Sequence, residues 1–503
     1  MICFSDQSAD REPPVATRDL LRPTDEGMCF HGYSPKLAVE TPRDFCEFRP
    51  IDQGTPLSQQ PHPAEPAHDE DPIHPTFAQA LRFWLKLGFI SFGGPTGQIA
   101  IMHTELVDRK RWISESRFLH ALNYCMLLPG PEAQQLATYI GWLLHRTWGG
   151  IVAGALFVLP SALILWLLCY IYVMHGDIPW IAAVFAGLKP AVTAIVAAAV
   201  IRIGRRVLKN SVMWTIAAAA FVAIYFLKVG FPWIVAGAAL IGWLGWKLAP
   251  KQFVLLKPHG GGAKRADAVI HDDHVADHAD ASLARAIRVV AICGVLWWLP
   301  VAALALVLGR DHTLASEGMF FSKAAMVTFG GAYAVLPYVA QQAVERYSWL
   351  SAGQMLDGLG LAESTPGPLI MVVQFVGFLG GWNHPGSLSP LLAATLGAAI
   401  STWVTFLPCF LYIFLGAPYV ERMRSNDRLT AALSAVTAAV VGVVLNLAVW
   451  FALHALKTPA GGVDWINVAL GLAAFALMVW RGWGVVAIVA LAALAGLVRM
   501  AIA

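Results

Sequence analysis

The sequence predicts an all-α polytopic membrane protein made of two inverted-topology repeats with broken or re-entrant helices. Three observations lead to this prediction. The chain of 503 residues is 57% hydrophobic and only 13% charged, which is about half the charged fraction of a typical soluble domain. Several apolar stretches exceed the ~20 residues that a helix needs to cross a bilayer. Finally, motifs of the first half recur in the second half at a constant spacing.

The recurring motifs share one offset of 237 residues. Pro129–Pro131 recurs as Pro366–Pro368, and Phe92–Gly94 recurs as Phe329–Gly331. Lys86 and Lys323, and Trp112 and Trp349, keep the same offset. Proline breaks a helix because it lacks a backbone N–H. Inside a membrane such a break is tolerated only where protein or a water-filled cavity supplies partners. Matching breaks in two halves therefore indicate the binding site of a transporter.

The chain opens with residues 1–76, which we predict to be a disordered cytoplasmic N-terminal tail. This stretch is rich in proline and charge and has no hydrophobic periodicity. Such a composition does not bury enough apolar surface to become ordered. The first apolar run begins near Phe77, so we expect no cleavable signal peptide.

From Phe77 onward the sequence contains thirteen apolar segments. Six of them form the predicted first repeat, 77–248, and seven form the second, 286–503. A polar cytoplasmic linker, 249–285, is predicted between the repeats. This count puts an odd number of crossings between equivalent segments, so the repeats should lie in opposite orientations. The segments lie at about 77–102, 118–144, 149–173, 180–203, 212–228, 231–248, 286–308, 318–343, 354–381, 388–417, 429–455, 464–480 and 483–502.

Loop charges favour re-entrant hairpins in each repeat. Cytoplasmic loops are rich in Lys and Arg, and with the N-terminus inside only the loop 109–117 has its four basic residues on the wrong side. If the first two segments are re-entrant hairpins, this loop returns to the cytoplasm. Residues 118–128 and 133–144 have the lengths of half-helices. We therefore favour about nine full spans plus four broken segments over thirteen plain spans.

The breaks provide the candidate substrate site. A half-helix that starts at mid-membrane directs free N–H groups and the positive end of its dipole into the bilayer, where they suit an anion. Glycines there allow close approach to the backbone, although they could instead only shape helix packing. The candidate substrate-binding residues of the first half are Lys86, Gly93, Gly94, Thr96, Gln98, Pro129, Gly130, Pro131, Gln134 and Gln135. Those of the second half are Lys323, Gly330, Gly331, Ser364, Thr365, Pro366, Gly367 and Pro368.

Four charged residues accompany the breaks. Lys86 and Lys323 each lie six residues before a Phe-Gly-Gly motif. Intramembrane cations are functional by default, and this pair suits a dianion; the alternative is that both lysines snorkel to the headgroups. Glu132 and Glu363 flank the two Pro-Gly-Pro breaks, and we interpret them as gating or proton-coupling candidates.

Other functional classes have no motif in this chain. It contains no phosphate-binding Gly-Lys-Ser/Thr loop and no nucleotide or flavin fingerprint, so we expect neither an ATP-driven pump nor a cofactor. Its seven cysteines have no metal or redox spacing. The linker histidines, His259, His271, His274 and His278, lack fixed ligand spacing, so we predict no metal site. We also expect no enzymatic activity and no nucleic-acid partner.

Four stretches of the chain resemble the signature stretches of the chromate ion transporter family. They are FISFGGPTGQIA, WISESRFLHALNYCMLLPGPEAQQLATYIGWLLH, FFSKAAMVTFGGAYAVLPYVAQQAVE and LGLAESTPGPLIMVVQFVGFLGGW. The resemblance covers nearly all of residues 77–503 and matches the long-chain, duplicated form of the family. It implies a multi-pass protein of the cell (inner) membrane that exports chromate and confers chromate resistance. Sulfate, a dianion of similar shape, is the expected competitor.

The function that the resemblance implies is secondary transport of chromate, driven by the membrane potential or the proton motive force. Each unit charge that crosses ~100 mV gains or loses ~2.3 kcal/mol, so a dianion leaves a negative interior downhill. The alternative transporter is an importer or exchanger of sulfate or a related oxyanion. A membrane-bound chromate reductase would need a redox centre, and a scaffold or sensor would have no use for paired helix breaks. The lipid bilayer is an expected partner, and a homodimer is one option for assembly.

Overall fold

Seventeen α-helices and no β-strand form the part of the chain that the computed structural model describes, residues 73–253, 268–270, 282–419, 427–456 and 462–502. Seven helices are long and apolar enough to cross a membrane. The predicted all-α polytopic fold is confirmed. The predicted tail up to residue 72 and the linker histidines, His259, His271, His274 and His278, lie outside the described residues.

The first half contains the re-entrant segments and four crossings. Its helices are α1 (Phe77–Ile90), α2 (Gly94–His103), α3 (Glu115–Leu127), α4 (Glu132–His175), α5 (Pro179–Val207), α6 (Ser211–Tyr225), α7 (Phe231–Leu248) and α8 (Pro250–Phe253). A capping box between Thr76 and Gln79 starts α1, because the two residues satisfy each other's backbone N–H groups. Within α4, His145 and Arg146 leave the helical conformation. This interruption separates the half-helix after the Pro-Gly-Pro motif from the following span.

The second half repeats this order after one additional helix. Its helices are α9 (Leu283–Val307), α10 (Thr313–Met326), α11 (Ala332–Gln341), α12 (Ala352–Ser364), α13 (Val372–Asn383), α14 (Pro390–Gly416), α15 (Asp427–Ala455), α16 (Trp465–Arg481) and α17 (Val485–Ile502). The additional helix is α9, which explains the count of six segments and then seven. The equivalent helices α6 and α16 have only 15 and 17 residues and complete the nine predicted spans.

The two halves also share their backbone conformation at the breaks. Four equivalent pairs of residues have positive φ angles, which residues other than glycine rarely adopt. The pairs are Gly93 and Gly330, Gly94 and Gly331, Arg111 and Ser348, and Gly130 and Gly367. In addition, α2 and α11 both end in a π-helical turn, Thr104–Arg109 and Gln342–Arg346. The offset of 237 residues thus relates conformations as well as residue types.

Both hairpins of the first half return to the end of the structure at which they begin, which we call the Pro75 end. Lys110 Nζ lies 5.8 Å from the ring centre of Phe83 in the middle of α1, so the loop after α2 lies back beside the chain's first helix. His145 Nε2 lies 3.0 Å from the carbonyl oxygen of Pro75. Each hairpin therefore enters and leaves on one face, as the re-entrant arrangement predicts.

The hairpins of the second half begin and end at the opposite end, which we call the Trp349 end. Asn383 Nδ2 donates to the Trp349 carbonyl at 2.8 Å, and His384 Nε2 lies 2.9 Å from the Ser348 carbonyl oxygen. These contacts bring the end of α13 beside the loop that precedes α12. The chain crosses the membrane four times in the first half and once more through α9. This odd number of crossings puts the hairpins of the second half at the opposite end. The two repeats are therefore inverted.

A short parallel bridge between Ile113 and Ile270 fixes the side of the basic loop. Ser114 N donates to Ile270 O at 3.1 Å, and Ile270 N donates to Trp112 O at 3.2 Å. Ile270 belongs to the linker between the repeats. Thirteen plain spans would put the loop and the linker on opposite sides of the membrane, so the bridge favours the re-entrant topology.

We expect the variants Lys110→Cys and Lys251→Cys to react with an impermeant maleimide from one side of the membrane. The variant Asp177→Cys should react from the other side. Lys110 lies in the basic loop, Lys251 follows α7, and Asp177 lies between α4 and α5. The measurement compares labelling in right-side-out and inverted vesicles, in a variant without the native cysteines. Thirteen plain spans predict that Lys110→Cys labels together with Asp177→Cys.

Candidate functional site

Each Pro-Gly-Pro corner is bonded to the first break of the other half. Gly130 N donates to Thr328 O at 2.7 Å, and Gly367 N donates to Ser91 O at 2.7 Å. Ser91 and Thr328 are themselves equivalent, since each directly precedes a Phe-Gly-Gly motif. Both corner glycines are buried. Each Pro-Gly-Pro corner therefore meets the first break of the other half inside the protein, and both corners are buried rather than exposed to lipid.

Both corners require glycine for two reasons. Gly130 and Gly367 have φ angles of 118° and 105°, in a region that strains any other residue. A Cβ atom at Gly130 would lie 2.7 Å from Cys409 Sγ, and one at Gly367 would lie 2.5 Å from Ser161 Cβ. Ser161 and Cys409 each follow a proline inside a spanning helix, α4 and α14. The corner of each half thus packs closely against a span of the other half.

Several buried polar atoms around the corners have no hydrogen-bond partner among the described residues. They are Gln98 Oε1, Gln134 Oε1, Gln135 Oε1 and Ser161 Oγ. The amide nitrogens are used: Gln98 Nε2 donates to the carbonyl oxygens of Gly367 and Ser91, and Gln135 Nε2 donates to that of Pro129. Buried polar groups in proteins normally have partners. The unpaired groups are therefore available to a polar ligand, with the Ser161 hydroxyl as a donor.

Three half-helices begin at the breaks without a side-chain cap. The residues preceding α2, α4 and α11 are Gly93, Pro131 and Gly331, and none caps its helix through a side chain. The first N–H groups of a helix have no intrahelical partner, and that end carries a partial positive charge. These helix starts have the features expected of an anion site, and binding of an anion there stays a prediction.

The predicted lysines are exposed, unlike the corner glycines. Lys86 on α1 and Lys323 on α10 are both exposed, and their helices bury other faces, including Trp84 and Phe321. The structure does not bring the two lysines together with the corner glycines. A role for them in binding stays a prediction.

The other predicted residues divide by burial. The buried ones, like the corner glycines, are Pro131, Gly331, Pro366 and Pro368. The half-buried ones are Gly94, Pro129 and Gly330, and the exposed ones are Gly93 and Thr96. The hydroxyls of Ser364 and Thr365 donate to Leu361 O at 2.8 Å and Ala362 O at 3.0 Å. These two hydroxyls therefore donate their hydrogens to carbonyl oxygens at the end of α12. The same hydrogens are not available to a substrate.

The two glutamates at the corners have different surroundings. Glu363 is buried and accepts a hydrogen bond of 2.6 Å from the Tyr333 hydroxyl. Glu132 is the first residue of α4 and is also buried. Arg202 acts electrostatically on Glu363, and Arg206 acts on Glu132. The two corners thus share a source of positive charge in α5.

Arg202 and Arg206 were not among the residues predicted from the sequence, and their interaction with the corner glutamates makes them candidates. They lie one turn apart near the end of α5, and both side chains are exposed. Residues four apart lie on one face of a helix. This spacing within an apolar segment was a signal in the sequence, but the partners on α4 and α12 were not visible there.

Comparisons with known proteins identify relatives of this chain. A family model described as "Chromate transporter" matches residues 78–243 and 317–497. A chromate transport protein of Pseudomonas aeruginosa is 32% identical over 84% of this chain and 92% of its own length. The chromate transport protein of Cupriavidus metallidurans is 29% identical over 84% and 93%. A probable chromate transport protein of Synechococcus elongatus is 28% identical over 77% and 88%. No solved structure matches.

Proposed function

This chain belongs to the chromate transporter family, and on that premise we propose that it is a secondary transporter that exports chromate across the inner membrane. The observation that carries the proposal is the reciprocal bonding of the two corners, Gly130 N to Thr328 O and Gly367 N to Ser91 O. It joins broken segments of one repeat to broken segments of the other at buried positions. Such a meeting of broken helices between inverted repeats is where transporters bind their substrates.

In the proposed site, the tetrahedral dianion binds between the corners. Free N–H groups at the starts of α2, α4 and α11 and the Ser161 hydroxyl donate to its oxygens. The amide groups of Gln98 and Gln135 line the same place. Backbone and hydroxyl donors recognise a tetrahedral oxyanion without a fixed cation, so sulfate is the expected competitor.

The proposed orientation places the Pro75 end in the cytoplasm. Basic residues gather there, and the positive-inside rule assigns such loops to the cytoplasmic face. They are Arg109, Lys110, Arg111, Arg205, Lys209, Lys247 and Lys251. Arg202 and Arg206 then lie between the cytoplasm and the corners, where they attract an anion that is about to leave the cell.

Outward movement of chromate agrees with the electrical driving force. Each charge that crosses ~100 mV contributes ~2.3 kcal/mol, so a dianion that leaves a negative interior gains about twice that amount. Import of sulfate, the alternative, would need coupling to a second gradient of at least that size. The two proposals therefore differ in how flux responds to an imposed potential.

We expect purified protein in proteoliposomes to release trapped chromate faster when the interior is negative than when it is positive. The measurement is the initial efflux rate under potassium–valinomycin potentials of either sign, with protein-free liposomes as the control. The same vesicles loaded with sulfate test the competitor. Chromate flux that is absent, or equal at both potentials, would contradict potential-driven export. Sulfate uptake that requires an ion gradient would instead support the importer.

A further inference from the structure

Glu317 is a buried carboxyl group that the corners do not use. It lies one turn into α10 and has a relative exposure of 0%. Among the described residues neither Oε1 nor Oε2 has a hydrogen-bond partner. Buried polar groups are normally paired, so this carboxyl group needs an explanation. The equivalent residue of the first half is Ala80, which shows that the repeat does not need a carboxyl group at this position.

Two glycines on neighbouring helices make room for this carboxyl group. A Cβ atom at Gly380 in α13 would lie within contact distance of Glu317 Oε1, and one at Gly397 in α14 would lie 2.9 Å from Oε2. Trp349 borders the same place, 3.3 Å from the Cβ position of Gly380. The group therefore occupies a pocket shaped to its size at the contact of α10, α13 and α14.

No ion pair of this carboxyl group is found in the part of the chain that the structure describes. The elements packed against α10 are α9, α11, α13 and α14, and α11, α13 and α14 contain no Asp, Glu, Lys, Arg or His. The charged residues of α9 are Arg285 and Arg288, which lie in its first two turns. The hydrogen bond from α9 to α10 is made much later in the helix, by Trp297. His312 caps the start of α10, and Lys323 is exposed.

The remaining titratable groups on these elements are neutral thiols and phenols at neutral pH, namely Cys293, Tyr333, Tyr338, Cys409 and Tyr412. An ionised carboxylate that is buried without a cation costs several kcal/mol. In the conformation described, Glu317 therefore carries a proton.

We propose that Glu317 is a proton-binding site that couples chromate export to proton movement, an inference that rests on the proposed function. Its pocket lies at the joint between the re-entrant helices α10 and α13 and the spanning helix α14. A movement of the hairpins against α14 exposes the carboxyl group to water. One proton then dissociates and leaves a carboxylate, and closure of the joint requires that one proton bind again. In the proposed cycle the proton is released to the cytoplasm when the joint opens inward, and the new proton binds from outside when it opens outward. Each cycle thus carries one proton in the direction opposite to chromate.

The test measures proton and chromate movement together in proteoliposomes of the full-length protein. A pH-sensitive dye reports protons, and the buffer is alkaline enough that chromate carries no proton of its own. We expect the wild type to move protons with chromate. Glu317→Gln should lose the proton movement and keep chromate–chromate exchange. Glu317→Asp, which keeps a titratable group, should restore proton movement. Glu345→Gln, at an exposed glutamate on the π-helical turn, is the matched control and should behave as the wild type.

The possible outcomes separate this inference from the proposed function. Proton movement by Glu317→Gln in the wild-type ratio would overturn the inference, and so would wild-type chromate flux without protons. Absence of chromate flux in the wild type would overturn the proposed function itself. If Glu317→Gln does not accumulate in the membrane, dicyclohexylcarbodiimide, which modifies protonated carboxyl groups in apolar sites, tests the wild type. Modification of Glu317 with loss of proton movement supports the inference, and an unmodified Glu317 overturns it.

Discussion

Replacing Gly130 or Gly367 with alanine is expected to abolish chromate transport while the protein still accumulates in the membrane. The new Cβ atom would lie 2.7 Å from Cys409 Sγ or 2.5 Å from Ser161 Cβ. Overpacking of a buried contact costs about 1–3 kcal/mol, and a left-handed backbone at a residue other than glycine costs a similar amount. The corner must move to relieve both, and this movement breaks the bond from its N–H group to the other half. Leucine at Gly130 should be at least as severe.

The measurement is chromate efflux from proteoliposomes, with the amount of protein in the membrane and its elution as a single species determined in parallel. Gly294→Ala in α9 is the matched control, because no described atom lies within 4 Å of its added Cβ. The double variant Gly130→Ala/Cys409→Ala removes the sulfur contact and leaves the backbone strain, so it should recover part of the flux. Wild-type transport by Gly130→Ala would show that the corner is not the substrate site.

Neutralising the two arginines of α5, as Arg202→Gln/Arg206→Gln, is expected to lower the initial rate of chromate transport about tenfold at low salt. Charges of one sign that line the path to a site raise the association rate of an opposite charge by about 10-fold to 10³-fold, and salt screens this effect. The variant should therefore differ less from the wild type as the ionic strength rises. The measurement is the initial rate at several chromate concentrations in low and high salt.

The matched control for the arginines is Lys86→Gln/Lys323→Gln, which removes the same charge from two exposed positions. We expect this variant to lose less activity, since Arg206 and Arg202 act on the corner glutamates Glu132 and Glu363. If the lysine variant loses more flux than the arginine variant, the lysines are the cations that offset the charge of chromate. If the arginine variant keeps both the wild-type rate and its salt dependence, Arg202 and Arg206 do not attract the substrate.

The positions of the helix breaks could be predicted from the sequence because they depend on local chemistry. Proline and glycine impose their conformations wherever they occur, so the motif Pro129–Pro131 already separated α3 from α4. The predicted half-helices at 118–128 and 133–144 correspond to α3, Glu115–Leu127, and to the part of α4 that ends at His145. The re-entrant topology was also accessible, since it followed from the charges of one loop.

The residues that contact the breaks could not be predicted from the sequence. Ser161 and Cys409 lie in apolar spans, and nothing in their own sequence indicates that they face Gly367 and Gly130. Glu317 lies four residues after the start of α10, and the sequence analysis did not select it. Lys86 and Lys323 have equivalent positions in the two repeats and are exposed, and their role in binding stays a prediction.

By itself the sequence determined that this protein is a duplicated, all-α membrane protein whose helices break at equivalent places. Only the tertiary structure decided which faces of those helices meet, and so which polar groups surround the corners. The physical reason is that lipid is as apolar as the protein interior, so hydrophobic periodicity does not distinguish the face of a membrane helix that is buried from the face that lipid covers. Close packing and hydrogen bonds between the halves decide that question, as the bonds of Gly130 and Gly367 illustrate.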